Sequence, residues 1–267
     1  MNSRDPLQDN AILDAILTRK SVRGFLPDSV SEHDIRRILH AAARAPSGSN
    51  IQPWKVHVVS GASRNALSEA LCTAHDNGEP ETREYQYYPL KWREPYLARR
   101  RETGWGLYHM LGITREDKAG MKRQHGRNYA FFDAPVVLFI TLENDLETGS
   151  WMDLGMFIQS IMIAARGLGL HTCPQAALSN YPAIVRSHLS IPDNEIIACG
   201  ISLGYEDTAH PANQLHTTRM PIEEFTVFHD QFNGKVQSKQ GTEKDDNLRS
   251  DDDARKEDNT RTDGEAS

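Results

Sequence analysis

The sequence has few of the residue patterns that build disulfide, metal or nucleic-acid-binding proteins. Its three cysteines, Cys72, Cys173 and Cys199, are widely spaced and form no CxxC pair, which argues against a secreted disulfide scaffold and against zinc. The histidines also lack the spacing of metal ligands, so we expect no metal. Lysine and arginine number 30 against 37 aspartates and glutamates, and a net charge of -7 argues against a surface that binds nucleic acid.

Long apolar stretches are missing as well. The longest, residues 152–170, is interrupted by Asp153 and Arg166 and is too polar to cross a bilayer. The first 17 residues carry three aspartates and lack the apolar centre of a signal peptide. We therefore expect a cytoplasmic protein with neither membrane nor nucleic acid as a partner.

Residues 235–267 differ in composition from the rest of the chain. They contain ten acids and seven bases, and such a segment cannot bury a core. We expect a disordered charged tail there, after one folded domain of residues 1–234.

Hydrophobic periodicity predicts more helices than strands in that domain. Because the strands are not spaced as regular βαβ units, we expect an α+β fold, a mixed sheet covered by helices. One helix, residues 151–167, is apolar almost all round, which predicts burial on every side. The predicted helices are residues 10–18, 31–45, 62–74, 114–127, 151–167 and 180–189; the strands are 54–59, 135–142 and 195–204; and residues 211–233 form an extended C-terminal arm.

Residues 80–113 form a predicted lid insertion. Seven of the 24 residues from 85 to 108 are aromatic, against 7% of the whole chain, and Pro89 and Pro95 interrupt any long helix. These aromatics either pack ordinarily or stack on a flat substrate. The residues that we expect to face substrate are Tyr88, Trp92, Tyr96, Trp105 and Tyr108.

Two polar segments have the composition of ligand-binding loops. Arg19, Ser21 and Arg23 follow the first helix, and two guanidinium groups with a hydroxyl between them suit a phosphate, although a solvated basic turn has the same composition. The stretch Ala45-Pro46-Ser47-Gly48-Ser49-Asn50-Ile51-Gln52-Pro53-Trp54 combines small residues, which let backbone approach a ligand, with amides that form hydrogen bonds.

The order of these segments resembles the flavin-dependent nitroreductase family. Arg19-x-Ser21-x-Arg23 and the loop that ends in Gln-Pro-Trp are followed by three more matching stretches and a late arginine. The resemblance covers roughly residues 11–229, and it is nearest to the relatives that reduce nitrobenzoates and similar nitroarenes. The later matches are residues 128–135, 169–177 and 203–205, and Arg219.

The resemblance implies an intertwined homodimer with two FMN molecules in the subunit interface. The basic residues would hold the phosphate and ribityl chain, the first loop would line the flavin partly from the other subunit, and a backbone N–H near Ala176 would point at flavin N5. The implied FMN-binding residues are Arg19, Lys20, Ser21, Arg23 and Arg219; Pro46, Ser47, Ser49, Asn50 and Gln52; and Pro174, Gln175, Ala176 and Ala177.

The implied activity is reduction of small aromatic nitro compounds by NADH or NADPH through flavin N5, with ping-pong kinetics. No catalytic side chain is expected, because the cofactor carries the chemistry. Three alternatives share the motifs: a reductive dehalogenase, a flavin-fragmenting enzyme, and a flavin-binding protein without catalysis. For the dehalogenase, Glu84-x-x-x-Tyr88 only weakly resembles the lid acid that would bind its substrate.

Overall fold

The computed structural model describes residues 10–229, so the predicted charged tail lies outside the described residues. The chain divides into two compact units, one ending at Thr218 and one beginning at Arg219. This division comes before residue 234, where the composition predicts the end of the folded domain. In its described part the second unit contains one short 3-10 turn, Ile222–Glu224, and exposes Ile222, Phe225 and Phe228.

The first two helices of the first unit begin at capping side chains. Asn10 caps α1 by accepting hydrogen bonds from the Ile12 and Leu13 N–H groups, and Ser31 caps α2 by accepting one from the Asp34 N–H. The predicted starts of both helices are therefore confirmed. The helices are α1 (Ala11–Thr18), α2 (Glu32–Ala42), α3 (Gly61–Asn77), α4 (Tyr96–Met110), α5 (Lys118–Gly126), α6 (Thr148–Gly167) and α7 (Pro182–Leu189).

Four strands form one sheet in the order β1-β2-β4-β3, and every neighbouring pair is antiparallel. A parallel bridge between Ser21 and Thr172 extends the sheet beside β3, which makes the sheet mixed. The predicted α+β class, with helices on a mixed sheet, is confirmed. The strands are β1 (Lys55–Ser60), β2 (Val136–Glu143), β3 (His171–Gln175) and β4 (Glu195–Gly204).

The sheet separates two apolar layers. Alternate residues of β2 face opposite sides: Leu138 and Ile140 pack in the layer that contains α2 and α6, whereas Val137 and Phe139 pack in the layer that contains α3 and α7. Burial of both faces explains why β2 reads as a continuous apolar run rather than an alternating one.

Three features differ from the prediction. β3 was not predicted, because it is short and contains Pro174, a residue tolerated only at a sheet edge such as the one that β3 occupies. The lid contains a helix of 15 residues, α4, because Pro95 precedes its first residue instead of interrupting it. The prediction that α6 is buried on every side is wrong for the single chain, since Met152 is 66% exposed.

Candidate functional site

A cavity of about 580 Å³ lies between the end of β3, helix α6, strand β4 and the start of the lid. Its walls are largely apolar and aromatic, with a few polar residues among them. This composition suits a flat, mostly apolar ring that is sheltered from water. The main contributors are Pro174, Gln175 and Ala176 from the β3 end; Tyr85 and Tyr87 from the lid; Trp151, Leu154 and Ile158 from α6; and Ile196, Ala198 and Cys199 from β4.

The end of β3 is held rigidly from behind. The buried Gln175 side chain donates through Nε2 to the Asn128 carbonyl at 3.0 Å, and its Oε1 accepts from the Ser202 hydroxyl at 2.5 Å. Its amide is thus engaged within the protein. In the turn that follows, Leu178 packs directly on Gly200. A Cβ added to Gly200 would lie 2.3 Å from the Leu178 side chain. Residues 174–176 therefore present a fixed backbone to the cavity.

The basic segment predicted to bind phosphate lies against the first residues of β3. The Val22 N–H donates to the Thr172 carbonyl at 3.1 Å, and the Arg23 guanidinium donates to the Ser21 carbonyl at 3.2 Å. The charges of Arg23 and Arg19 both act on the neighbouring Cys173 thiol. One short strand thus connects the arginines, near Cys173, to the cavity at Pro174–Ala176.

Burial raises the pKa of Cys173 to about 11, against the weaker lowering effect of Arg23 and Arg19. The group remains a neutral thiol at physiological pH and is not a nucleophile. A structural role for this cysteine fits its position in the core beside Val22 and Phe25.

Lys20, which the resemblance also assigns to FMN, has partners within its own chain. Its ammonium group forms an ion pair with Glu206 at 2.7 Å and donates to the Asn213 carbonyl at 2.8 Å. The next residue, Ser21, forms the bridge to Thr172.

Asn213 is a positioning residue that the sequence analysis missed. It is 1% exposed, accepts from the Arg23 N–H at 2.7 Å, and donates to the carbonyls of Gly24 and Asp207, both at 2.8 Å. Gly24 packs against His210, and a Cβ added to Gly24 would lie 2.3 Å from the imidazole ring. The turn around residues 207–214 therefore clamps the arginine segment through backbone atoms.

The loop of residues 46–52 has a defined but exposed conformation. Ser49, Asn50 and Gln52 have φ angles of 48°, 59° and 49°, a left-handed backbone that costs energy for residues other than glycine. The Gly48 N–H donates to the buried Asp153 carboxylate of α6 at 3.2 Å. At the loop's end, Trp54 stacks on Phe157 at 4.6 Å. The cavity is not lined by any of the loop residues predicted to bind FMN in the same chain: Pro46, Ser47, Ser49, Asn50 and Gln52.

The predicted lid aromatics lie outside the cavity and contact one another or neighbouring cations. Tyr88 contacts Trp92 at 5.3 Å, and Arg100 lies over Trp92 at 4.9 Å. The aromatics that reach the cavity are Tyr85, which contacts Trp151 at 4.6 Å, and Tyr87. The sequence prediction missed these two tyrosines, although the aromatic-rich composition of their segment could have indicated them. The remaining predicted residues pair as Arg93 over Tyr96, Trp105 with Tyr108, and Arg115 over Trp105.

Between residues 10 and 229, no cluster of three histidine, cysteine, aspartate or glutamate side chains is arranged to hold a metal ion. In the same range, no helix combines the length and apolarity needed to cross a membrane. Arg219 is the first residue of the second unit.

Comparison with known proteins identifies the family. Residues 16–205 match the profile of the nitroreductase family. The chain belongs to the nitroreductase family. The resemblance indicated by the motifs is therefore confirmed. The predicted enzyme class, oxidoreductase, is confirmed with it, because the family members described next are oxidoreductases.

Named relatives cover most of the nitroreductase domain. The chain is 41% identical over 219 residues to a 4-nitrobenzoate reductase from a Nocardioides strain, which covers 80% of this chain and 89% of the relative. It is 40% identical over 217 residues to nitrobenzene nitroreductase from Ectopseudomonas oleovorans, with 80% and 95% covered.

A solved structure gives the same assignment. The crystal structure of the FMN-dependent nitroreductase NfnB from Mycobacterium smegmatis, in complex with NADPH, matches with a TM-score of 0.79 and 36% identity. The match covers 82% of this chain and 98% of that one. That protein depends on FMN and was solved with NADPH, which are the cofactor and one of the two electron donors expected here from the sequence.

Proposed function

We propose that this nitroreductase is an FMN-dependent NAD(P)H oxidoreductase that reduces small aromatic nitro compounds. The observation that carries the proposal is the arrangement along β3, with arginines near Cys173 and an apolar cavity at Pro174–Ala176. FMN has the matching shape, a phosphate joined by a flexible chain to a flat ring. Relatives that reduce 4-nitrobenzoate and nitrobenzene, at about 40% identity, support the substrate class.

The residues present fit this cofactor. Arg19 and Arg23 would hold the phosphate, since a dianion bound by a protein of net charge -7 needs a local concentration of cations. Ser21 lies between the two arginines in the sequence. The buried Thr172 hydroxyl, which has no hydrogen-bond partner among the described residues, belongs to the residue of β3 that forms the bridge with Ser21.

The protein's own contribution to the reaction is orientation and exclusion of water. When bound, FMN supplies hydride transfer between donor and acceptor. Tyr85, Trp151 and Ile158 form flat and apolar walls that would orient an aromatic ring, and the backbone at Pro174–Ala176 would hold one edge of it.

We propose that the flavin ring would lie along the Pro174–Ala176 side of the cavity of about 580 Å³, and that donor and acceptor would bind over it in turn. The nicotinamide of NAD(P)H and the nitroarene are both flat rings that would need the same walls. The proposed kinetics are therefore ping-pong, for which initial rates at several nitroarene concentrations give parallel double-reciprocal lines. Intersecting lines would mean that both substrates bind together.

A homodimer is the assembly that the exposed surfaces favour. Helices α1 and α6 contact each other and expose Ile12, Leu17, Met152 and Met156. Contiguous apolar residues of this kind mark protein interfaces. A second copy would also bring the loop of residues 46–52 to a cavity that it does not line in its own chain.

A dehalogenase reading receives less support. The chain is 25% identical to an iodotyrosine dehalogenase homolog from Caenorhabditis elegans and covers 58% of that protein. The acid that would bind an amino-acid substrate, Glu84, is instead paired with Arg186 and the Ile197 N–H.

Purification with FMN tests the proposal and separates its alternatives. The protein is expected to bind FMN, to release it unchanged on denaturation, and to oxidise NADPH or NADH with nitrobenzene as acceptor. Release of halide from a halotyrosine would favour the dehalogenase, and breakdown of reduced FMN in air, seen by mass spectrometry, would favour the flavin-fragmenting enzyme. Reduced flavin that transfers electrons to no acceptor would favour a flavin-binding protein without catalysis.

A further inference from the structure

The lid begins with a segment that is bound firmly to the rest of the fold. We call residues 82–87 the lid base. The Thr82 N–H donates to the Asn180 carbonyl at 2.8 Å, and the Arg83 guanidinium donates to the Asn180 side chain. Asn180 is fully buried, so the lid base starts from a fixed point beside α7.

Glu84 forms the central attachment of the lid base. One carboxylate oxygen accepts from the Arg186 guanidinium at 2.5 Å, and the other accepts from the Ile197 N–H of β4 at 3.1 Å. The Glu84 side chain is 25% exposed and that of Arg186 is 15% exposed. Arg186 is itself fixed by the carbonyls of Pro192 and Glu195. A single carboxylate thus ties the lid base to a helix and to a sheet strand.

The residue after Glu84 is a wall of the cavity. Tyr85 lines it, contacts Trp151 at 4.6 Å, and donates its hydroxyl hydrogen to the Ala198 carbonyl. Burial raises the pKa of Tyr85 to about 12, so the phenol stays protonated and able to donate. Ala198 follows Ile197, and the two attachments therefore bind adjacent residues of the lid base to adjacent residues of β4.

From these contacts we infer that Glu84 is a positioning residue for the substrate site. It acts through Tyr85, by holding that ring as a fixed wall against which the nitroarene orients. Glu84 does not itself line the cavity. The inference rests on the proposed function, since it assigns the cavity to nitroarene binding.

Four variants test this role: Glu84→Ala, Glu84→Gln, Tyr85→Ala, and the double variant. Glu84→Ala should raise the KM for nitrobenzene on the order of tenfold, the factor that corresponds to loss of one hydrogen bond to a charged group. It should leave the FMN Kd unchanged. Glu84→Gln keeps an acceptor oxygen, so its KM should lie nearer that of the unmodified protein. The matched control is Glu81→Ala, at an exposed acid of the same region.

The double variant separates positioning from a general loss of stability. If Glu84 acts through Tyr85, adding Glu84→Ala to Tyr85→Ala should not raise the KM further. An additive increase, or an unchanged KM in Glu84→Ala, would overturn the inference while nitrobenzene turnover by the unmodified protein upholds the proposed function.

Amide hydrogen exchange gives a second readout that needs no turnover. In Glu84→Ala the peptide that covers residues 82–87 should exchange faster than in the unmodified protein, whereas Glu81→Ala should not change it. Unchanged exchange in Glu84→Ala would overturn the inference even in a protein that reduced no nitroarene. Absence of nitrobenzene turnover with FMN bound would overturn the proposed function instead.

Discussion

Arg23 combines a side chain suited to phosphate with one backbone contact and one side-chain contact that hold it in place. Its N–H donates to the buried Asn213 side chain, and its guanidinium donates to the Ser21 carbonyl. The guanidinium therefore starts from a defined position. Preorganised donors bind an anion more tightly than mobile ones, since less entropy is lost on binding.

Replacing Arg23 with alanine should weaken FMN binding roughly ten- to hundredfold, because a hydrogen bond to a charged group contributes about 1.5 to 3 kcal/mol. Arg23→Lys keeps the charge and loses the planar guanidinium, so its FMN affinity should lie between those of the unmodified protein and of Arg23→Ala. Fluorescence titration of FMN gives the affinities. Arg36→Ala, at an exposed arginine of α2, is the control. FMN affinity equal to that of the control would show that Arg23 does not hold the phosphate.

His171 makes the stability of the fold depend on pH. Burial, assisted by the charge of Arg166, lowers its pKa below the ordinary 6.5 and outweighs the opposing effect of Glu206. The folded protein therefore keeps the ring neutral while the unfolded chain takes up a proton. Stability is present above the unfolded pKa and is lost as the pH falls below it.

The melting temperature should consequently fall between about pH 7 and pH 5, and His171→Gln should reduce that fall. Part of it should persist, because burial also lowers the pKa of His125. Differential scanning fluorimetry across this range measures the effect, with His40→Gln on the exposed face of α2 as the control. Identical pH dependence in His171→Gln and the unmodified protein would contradict the assignment.

Residue-level prediction from the sequence is limited to local motifs and misses distant contacts. Arg19, Ser21 and Arg23 lie on one short segment, so their spacing alone was enough to suggest a shared ligand. Asn213 lies 190 residues from Arg23 and acts on backbone atoms, and nothing in its polar surroundings marks it. Lys20 belongs to the same basic motif, and only the fold shows that Glu206 pairs with it.

At the level of elements, α6 links the core to the exposed surface. Leu154, Phe157 and Ile161 face the sheet, while Met152 and Met156 face outward. The all-apolar pattern predicted burial of every side. Sequence periodicity does not reveal whether an apolar face is covered by the same chain or by a second copy, and it is at this point that the element prediction failed.

Met156→Glu should therefore dissociate the proposed dimer, because a charge in an apolar interface lacks a partner and is costly to bury. Sedimentation velocity should show a monomer that also binds FMN more weakly, since each proposed site would draw on both chains. The matched control is Met110→Glu, because Met110 is 40% exposed and Met156 is 39% exposed. A variant that remains a dimer with unchanged FMN affinity would rule out this face as the interface.

For the whole molecule, the order of the motifs was more informative than any single one. The family followed from segments spread over residues 11–229, each only moderately specific alone, whereas the fold class followed from hydrophobic periodicity. The positions of the loop at residues 46–52 and of the lid did not follow, because they depend on neighbours far along the chain and, under the proposal, on a second subunit. β3, which joins the two halves of the candidate site, was the least visible strand in the sequence.

The visible spectrum of the FMN-loaded protein under anaerobic conditions tests the central claim most directly. Addition of NADPH or NADH should bleach the flavin absorption, and later addition of nitrobenzene, after the nicotinamide has been removed, should restore it. Restoration in the absence of nicotinamide would show that the two substrates react in turn at one site. A chain that binds no FMN, or a bleached flavin that nitrobenzene leaves unchanged, would contradict the assignment as a nitroarene reductase.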